Sequence, residues 1–258
     1  MKKGNLVKIM SCSIIIIFAL TFKVFAQPES SINMFTKSFE KKEGFVDYYW
    51  DESKGKLYFE IKNLDEEILY VNYLSAGLGS NDIGLDRGQI GGSRIVKFVK
   101  MGPRVFMIQP NYTYRAITEN KEEKKSVEDA FAKSTLWSFN IVASEKNKYL
   151  IDATDFIVHD SHSISQRINQ RRQGTFKLDK NFSSFDYANS KNFPLNSELE
   201  SFLTFRGTSA GSLLRSVSPD NESFSVRTRH SFVQLPDDGY KPRIFDPRAG
   251  YGSLTYYD

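Results

Sequence analysis

Three histidines, one cysteine and a glycine-dense stretch are where this sequence gathers residues able to do chemistry. His159 and His162 stand as H-x-x-H, a spacing that on a continuous helix sets both rings on one face and offers a metal two nitrogens. Here the segment predicts a strand leading into a helix that begins between the two rings. No His-Glu-x-x-His occurs in the chain, so the pairing of two helical zinc ligands with a general-base glutamate is absent. Gly-x-Ser-x-Gly is missing as well, and a triad of Ser80, an aspartate and His230 would lack the strained elbow that exposes such a serine. A self-sufficient hydrolase would therefore need a serine or aspartate site with no visible activating arrangement. Cys12 lies in an apolar N-terminal run and is the single thiol, so the remaining chain holds no disulfide, Cys-ligated zinc or cysteine nucleophile.

Residues 75–93 hold six glycines between two apolar runs. Glycine permits positive φ and close backbone approach, so such a stretch can cradle a ligand or another chain segment. Asp82-x-Gly84-x-Asp86 has the start of a calcium loop, but Arg87 stands where an EF-hand needs its glycine and no closing glutamate follows. Three readings stay open: calcium, a long loop held by Asx turns, or a ligand or interdomain contact made by Asn81, Asp82, Asp86, Arg87 and Gln89. A second stretch, residues 235–251, is dense in proline, arginine and tyrosine without any period and reads as an ordered loop. Its Asp246 and Arg248, with Arg115 upstream, complete the set of interface or ligand candidates.

The elements that must position these residues are mostly strands. Residues 44–50 and 56–61 alternate around the turn 51–55, a hairpin pattern that sends Leu57, Phe59 and Ile61 to one face. Residues 68–74 read as a third strand continuing that sheet, and 94–99 with 104–109 as a second hairpin reversed at Gly102-Pro103. At Asn120 the period becomes helical, with Val127, Ala130, Phe131 and Ser134 on one face of a helix over 121–133 and its charged start on the solvent side. Strands follow over 136–143 and 149–158, a short helix over 162–170, and strands over 198–206 and 223–235 separated by a loop, 207–221. The fold class is β-rich α+β: antiparallel sheets packed as a sandwich or curled into a partial barrel, with one or two amphipathic helices.

Composition narrows the setting. Thirty-five basic side chains face 31 acidic ones, but Lys2, Lys3, Lys8 and Lys23 lie in the first 26 residues, which contain no acid. The remainder is balanced, so the charge gives no reason to expect nucleic acid. Those early lysines, the apolar run 9–22 and Ala26 follow signal-peptide order, and cleavage after Ala26 would leave a protein beginning at Gln27. The apolar run is shorter than the ~20 residues of a spanning helix. The expected organisation is a signal segment 1–26, a polar stretch 27–43 and a β-rich domain 44–258, with a secreted, periplasmic or cell-surface location and no stable membrane span.

Across the runs Gly44-Phe-Val-Asp-Tyr-Tyr-Trp50, Ser80-Asn-Asp-Ile-Gly-Leu-Asp-Arg-Gly-Gln89, Gln109-Pro-Asn-Tyr112, Asp152-Ala-Thr-Asp155 and Phe245-Asp-Pro-Arg248, the chain resembles the N-terminal region of large secreted bacterial zinc-dependent metalloproteases. That region is known there only as a domain of unknown function. The resemblance implies a catalytic domain carrying the His-Glu-x-x-His zinc site beyond Asp258, so this chain is expected to hold no metal or other cofactor and to have no peptidase activity. Its expected role is to pack on and shape the catalytic domain of the same or a split protein, with a peptide substrate as further partner. The alternative is a free-standing secreted module, in which the glycine loop, Tyr112, Tyr114, Arg115, Tyr240 and Arg248 line a groove for peptide or polysaccharide.

Overall fold

A computed structural model of the chain describes residues 31–258 apart from Asp238, Pro242, Tyr251, Ser253 and Leu254. The signal segment 1–26 lies outside the described residues. Residues 31–258 form one compact unit, built on a 12-stranded sheet. Its strands are β1 (Glu40–Lys42), β2 (Asp47–Asp51), β3 (Lys56–Ile61), β4 (Glu67–Ala76), β5 (Ile90–Met101), β6 (Arg104–Gln109), β7 (Ser134–Glu145), β8 (Lys148–Asp152), β9 (Thr175–Leu178), β10 (Ser184–Asn192), β11 (Asn196–Thr208) and β12 (Ser223–Gln234). The helices are α1 (Ile32–Phe35), α2 (Lys121–Ala130), α3 (Thr154–Ile157), α4 (Ile164–Gln170) and α5 (Ser212–Val217).

The β-rich class stands as expected, and of the two arrangements the sequence allows, the curled one is realised. The order is β1-β2-β3-β8-β7-β6-β5-β4-β12-β11-β10, with β9 on β11 and every ladder antiparallel. The sheet does not close by a ladder. Its two ends are tied by other bonds: Phe45 N donates to Phe193 O at 2.8 Å, Val46 N to Ser197 Oγ at 2.9 Å, and Asn192 Nδ2 to the Lys42 and Val46 carbonyls at 3.0 Å. Inside the curl, Tyr48, Leu57, Phe59, Tyr70, Phe98, Phe139, Phe156 and Phe232 form the main core. A second core gathers Leu74, Leu203, Phe205 and Val226 of the sheet under α4, α5 and the glycine loop.

Several expectations need correction. The run 68–74 is β4, but it does not extend the first hairpin: β3 pairs with β8, and β4 lies between β5 and β12. The strand 149–158 stops at Asp152, whose carboxylate accepts from Thr154 N at 3.0 Å and turns the chain into α3, burying Phe156 and Ile157. The helix 162–170 begins at Ile164, after both histidines; Asp160 accepts from Ile164 N and Ser165 N at 2.7 and 2.9 Å and fixes that start. α2 ends at Ala130, with Phe131 extended, and buries none of its residues. Its Asn120 cap accepts from Glu122 N at 2.9 Å. The loop 207–221 contains α5, and the polar stretch 27–43 contains α1 and β1.

Candidate functional site

Only residues 77–89 of the glycine-rich stretch form the loop, because Ser75 and Ala76 end β4 and Ile90 opens β5. The loop has its own small ladder: Leu78 N donates to Leu85 O at 2.9 Å, Leu74 N to Gln89 O at 3.0 Å and Gly88 N to Leu74 O at 2.6 Å. Leu78, Ile83 and Leu85 are buried in the second core. At Gly77 a Cβ would sit 2.1 Å from the Leu85 carbonyl oxygen, so only glycine allows the two loop arms to meet. With Ile83 and Leu85 turned inward, the polar residues between them turn out. Asn81, Asp82 and Arg87 are exposed, Asp86 and Gln89 half-buried. The Asp82–Asp86 spacing does not build a calcium loop, since Ile83 and Leu85 carry that backbone into the core. Among the described residues no three His, Cys, Asp or Glu side chains are placed to hold a metal.

Beside the loop lies a belt of buried polar groups separating the two cores. His230 faces Asn72 across the β12–β4 ladder and is fully buried. Its Nδ1 lies 2.8 Å from the Tyr70 hydroxyl. Burial keeps that phenol protonated, and the imidazole tautomer decides which of the two donates in the shared hydrogen bond. With Nδ1 committed to a tyrosine, His230 does not assemble a Ser80–Asp–His triad. The His159 ring lies 5.6 Å from that of His230 and tilts against Trp137 at 4.9 Å. His162 Nε2 reaches Gln89 Oε1 at 3.4 Å, and Asn72 Nδ2 donates to Ser161 O at 2.9 Å, latching the turn 159–163 to the loop and to β4.

This belt sets a pH dependence. Burial first, then the neighbouring His159, pulls His230 down to about 3, only partly offset by the Ile157 backbone. Burial lowers His159 and His162 as well. A histidine depressed by folding stays neutral in the native state, while the unfolded chain takes up a proton below about 6.5. Stability is therefore complete above that pH and should fall as the pH drops from about 6.5 towards 3. Thermal melts from pH 8 to 4 check this, and His230→Gln should have a shallower acid slope. An unchanged slope in that variant would refute the assignment.

The remaining candidates are held by other contacts. The Arg115 guanidinium packs over Tyr112 at 5.4 Å and Tyr256 at 4.4 Å, beside a groove of 410 Å³. Asp246 and Arg248 pair with each other at 2.7 Å in an exposed local bridge. The eight candidates thus fall into three separate sets of contacts. Sequence reasoning missed a fourth group: Glu200, on the outer face of β11, is buried beneath Arg229, which donates to it at 2.8 Å through Nε, and Arg227 at 3.4 Å. The signal was present as acidic alternation in β11 facing basic alternation in β12, but only the register joins them.

A family model described as Domain of unknown function (DUF5117) matches residues 88–258. The chain belongs to that family. A second model, described as Domain of unknown function (DUF5118), matches residues 29–77. No curated protein and no solved structure matches the chain. The DUF5117 match takes in β5 to β12 and the DUF5118 match β1 to β4, so the boundary between them falls within the glycine loop. The sheet crosses that boundary at three ladders, β3–β8, β4–β5 and β4–β12. Among the described residues, no helix is long and apolar enough to cross a membrane.

Proposed function

We propose that this DUF5117 chain is the non-catalytic N-terminal region of a secreted zinc-dependent metalloprotease, and that its glycine loop docks on the catalytic portion. One observation carries the reading. The loop backbone is fixed by Leu78, Ile83, Leu85 and its own hydrogen bonds, while Asn81, Asp82 and Arg87 point outward with no side-chain hydrogen bond or ion pair among the described residues. A rigid backbone presenting unpaired charges is preorganised for a partner, because little conformational entropy is lost on contact. Arginine adds the planar fork that pairs carboxylates bidentately. Zinc chemistry belongs to the catalytic portion, and this chain's part is to position it.

Arg87→Ala in this chain should alter stability by no more than about 0.5 kcal/mol, as for other exposed positions. The same substitution should weaken binding to a separately produced catalytic portion of a DUF5117-containing protease at least tenfold, measured by calorimetry. The exported chain alone should retain no stoichiometric zinc after dialysis and should not digest casein. A large loss of fold stability with unaltered binding would make Arg87 internal scaffolding and overturn the docking role. Chelator-sensitive proteolysis by this chain alone would overturn the non-catalytic one.

A further inference from the structure

Residues 112–117 lie outside every strand ladder, yet their backbone is engaged. Arg115 N donates to Tyr257 O at 2.8 Å and Tyr257 N donates to Thr113 O at 2.7 Å, a parallel bridge between Tyr114 and Tyr257. Tyr256, Tyr257 and Asp258 each have their own receiver. Tyr256 lies over the Arg115 guanidinium at 4.4 Å. Tyr257 stacks at 5.4 Å on Tyr114, which itself lies flat on Phe131 at 3.7 Å. Asp258 Oδ1 accepts from Ile117 N at 2.9 Å. The main-chain pair fixes the direction of the bound segment, and the Arg115 guanidinium, the Tyr114 ring and the Ile117 amide select its side chains, which is the division of labour in recognition by strand addition.

The occupant is held lightly. Tyr256 and Tyr257 remain 44% and 67% exposed, and a single bridge does not make a ladder. The 410 Å³ groove runs beside the same backbone, lined by Glu67, Ile95, Tyr112, Lys124, Val127 and Glu128, with room for residues beyond the short segment now seated there.

We infer that residues 112–117 form a peptide-docking edge for an extended segment carrying two adjacent aromatics followed by an acidic residue, and that residues 255–258 are its displaceable internal occupant. This edge is independent of the loop-docking role, since none of its residues belongs to the glycine loop. An occupant in the same chain competes at an effective concentration in the millimolar range, so an external peptide binds weakly until the internal one is loosened.

The test uses a fluorescent peptide, Gly-Ser-Leu-Thr-Tyr-Tyr-Asp, titrated by anisotropy into the exported chain and into its Tyr256→Ala/Tyr257→Ala variant. The double variant should bind at least tenfold more tightly than the unaltered protein. Adding Arg115→Ala in that background should remove at least tenfold of the affinity, and a peptide with both tyrosines replaced by alanine should not bind. Arg115 is exposed, and a melt of each variant verifies that the fold is kept. Equal binding to both proteins, no binding to either, or affinity indifferent to Arg115→Ala would overturn the inference.

Discussion

Residues 88–258 made without residues 31–87 should show no cooperative melt, although the retained piece is the whole of the DUF5117 match. The reason is the position of β4. It is hydrogen-bonded to β5 on one side and β12 on the other, so its removal splits the sheet and leaves two unpaired edges in the middle. β2 and β3 leave with it, uncovering β8. Leu57, Phe59, Ile68 and Leu74, all buried, are lost from the two cores. At about 1.5–3 kcal/mol for each fully buried apolar side chain, these four account for roughly 6–12 kcal/mol. That is comparable with the whole stability of an ordinary domain, about 5–15 kcal/mol. Thermal melts by circular dichroism, with dispersion of amide proton signals, are the check. A cooperative transition close to that of residues 31–258 would mean that the DUF5117 match is a self-sufficient domain.

The sequence carried the local part of this architecture well. The hairpins β2–β3 and β5–β6 were legible because each pairs two alternating runs across a turn of the right chemistry, and short-range pairing leaves little choice. The placement of β3 against β8 and of β4 against β12 was not, because such pairings are specified by complementarity between distant surfaces rather than by any local pattern. Elements defined by tertiary partners were missed for the same reason. α5 is a short helix whose first amides, Leu213 N and Leu214 N, are received by Gln173 Oε1, a cap far away in sequence. β10 is polar and interrupted by a bulge between Asp186 and Lys191, so it has no clean alternation to read.

The candidate site divides in the same way. The glycines and charged residues of the loop were visible as types, but Ile83 and Leu85 were not visible as anchors that turn the intervening side chains outward. Arg115 was visible, whereas the ring above it is supplied by Tyr256 from the far end of the described chain. Glycine at position 77 is explained only by the carbonyl it must approach.

Phe232→Ala should cost about 3–5 kcal/mol, the usual range for truncating a buried phenylalanine, whereas Phe202→Ala on the adjacent strand should change stability by less than about 1 kcal/mol. The two residues share a type and sit in strands that pair along their whole length, but they project to opposite faces. Phe232 is fully buried, with its ring centroid 5.3 Å from Tyr70, 5.8 Å from Phe59, 6.1 Å from Phe156 and 6.2 Å from Phe98. Those partners come from β3, β4, β5 and α3, so the cavity left by alanine would open where the curl of the sheet is held shut and could not be filled from one side alone. Phe202 is 43% exposed and faces outward between Ser184 and Arg227, where truncation removes surface already in contact with water. Urea melts of the two variants beside the parent decide the matter, with the slope checked so that a changed midpoint reads as stability. Similar losses for both would place an apolar layer over the outer face of β11 as well, and the sheet would then have to be buried on two sides rather than curled around one.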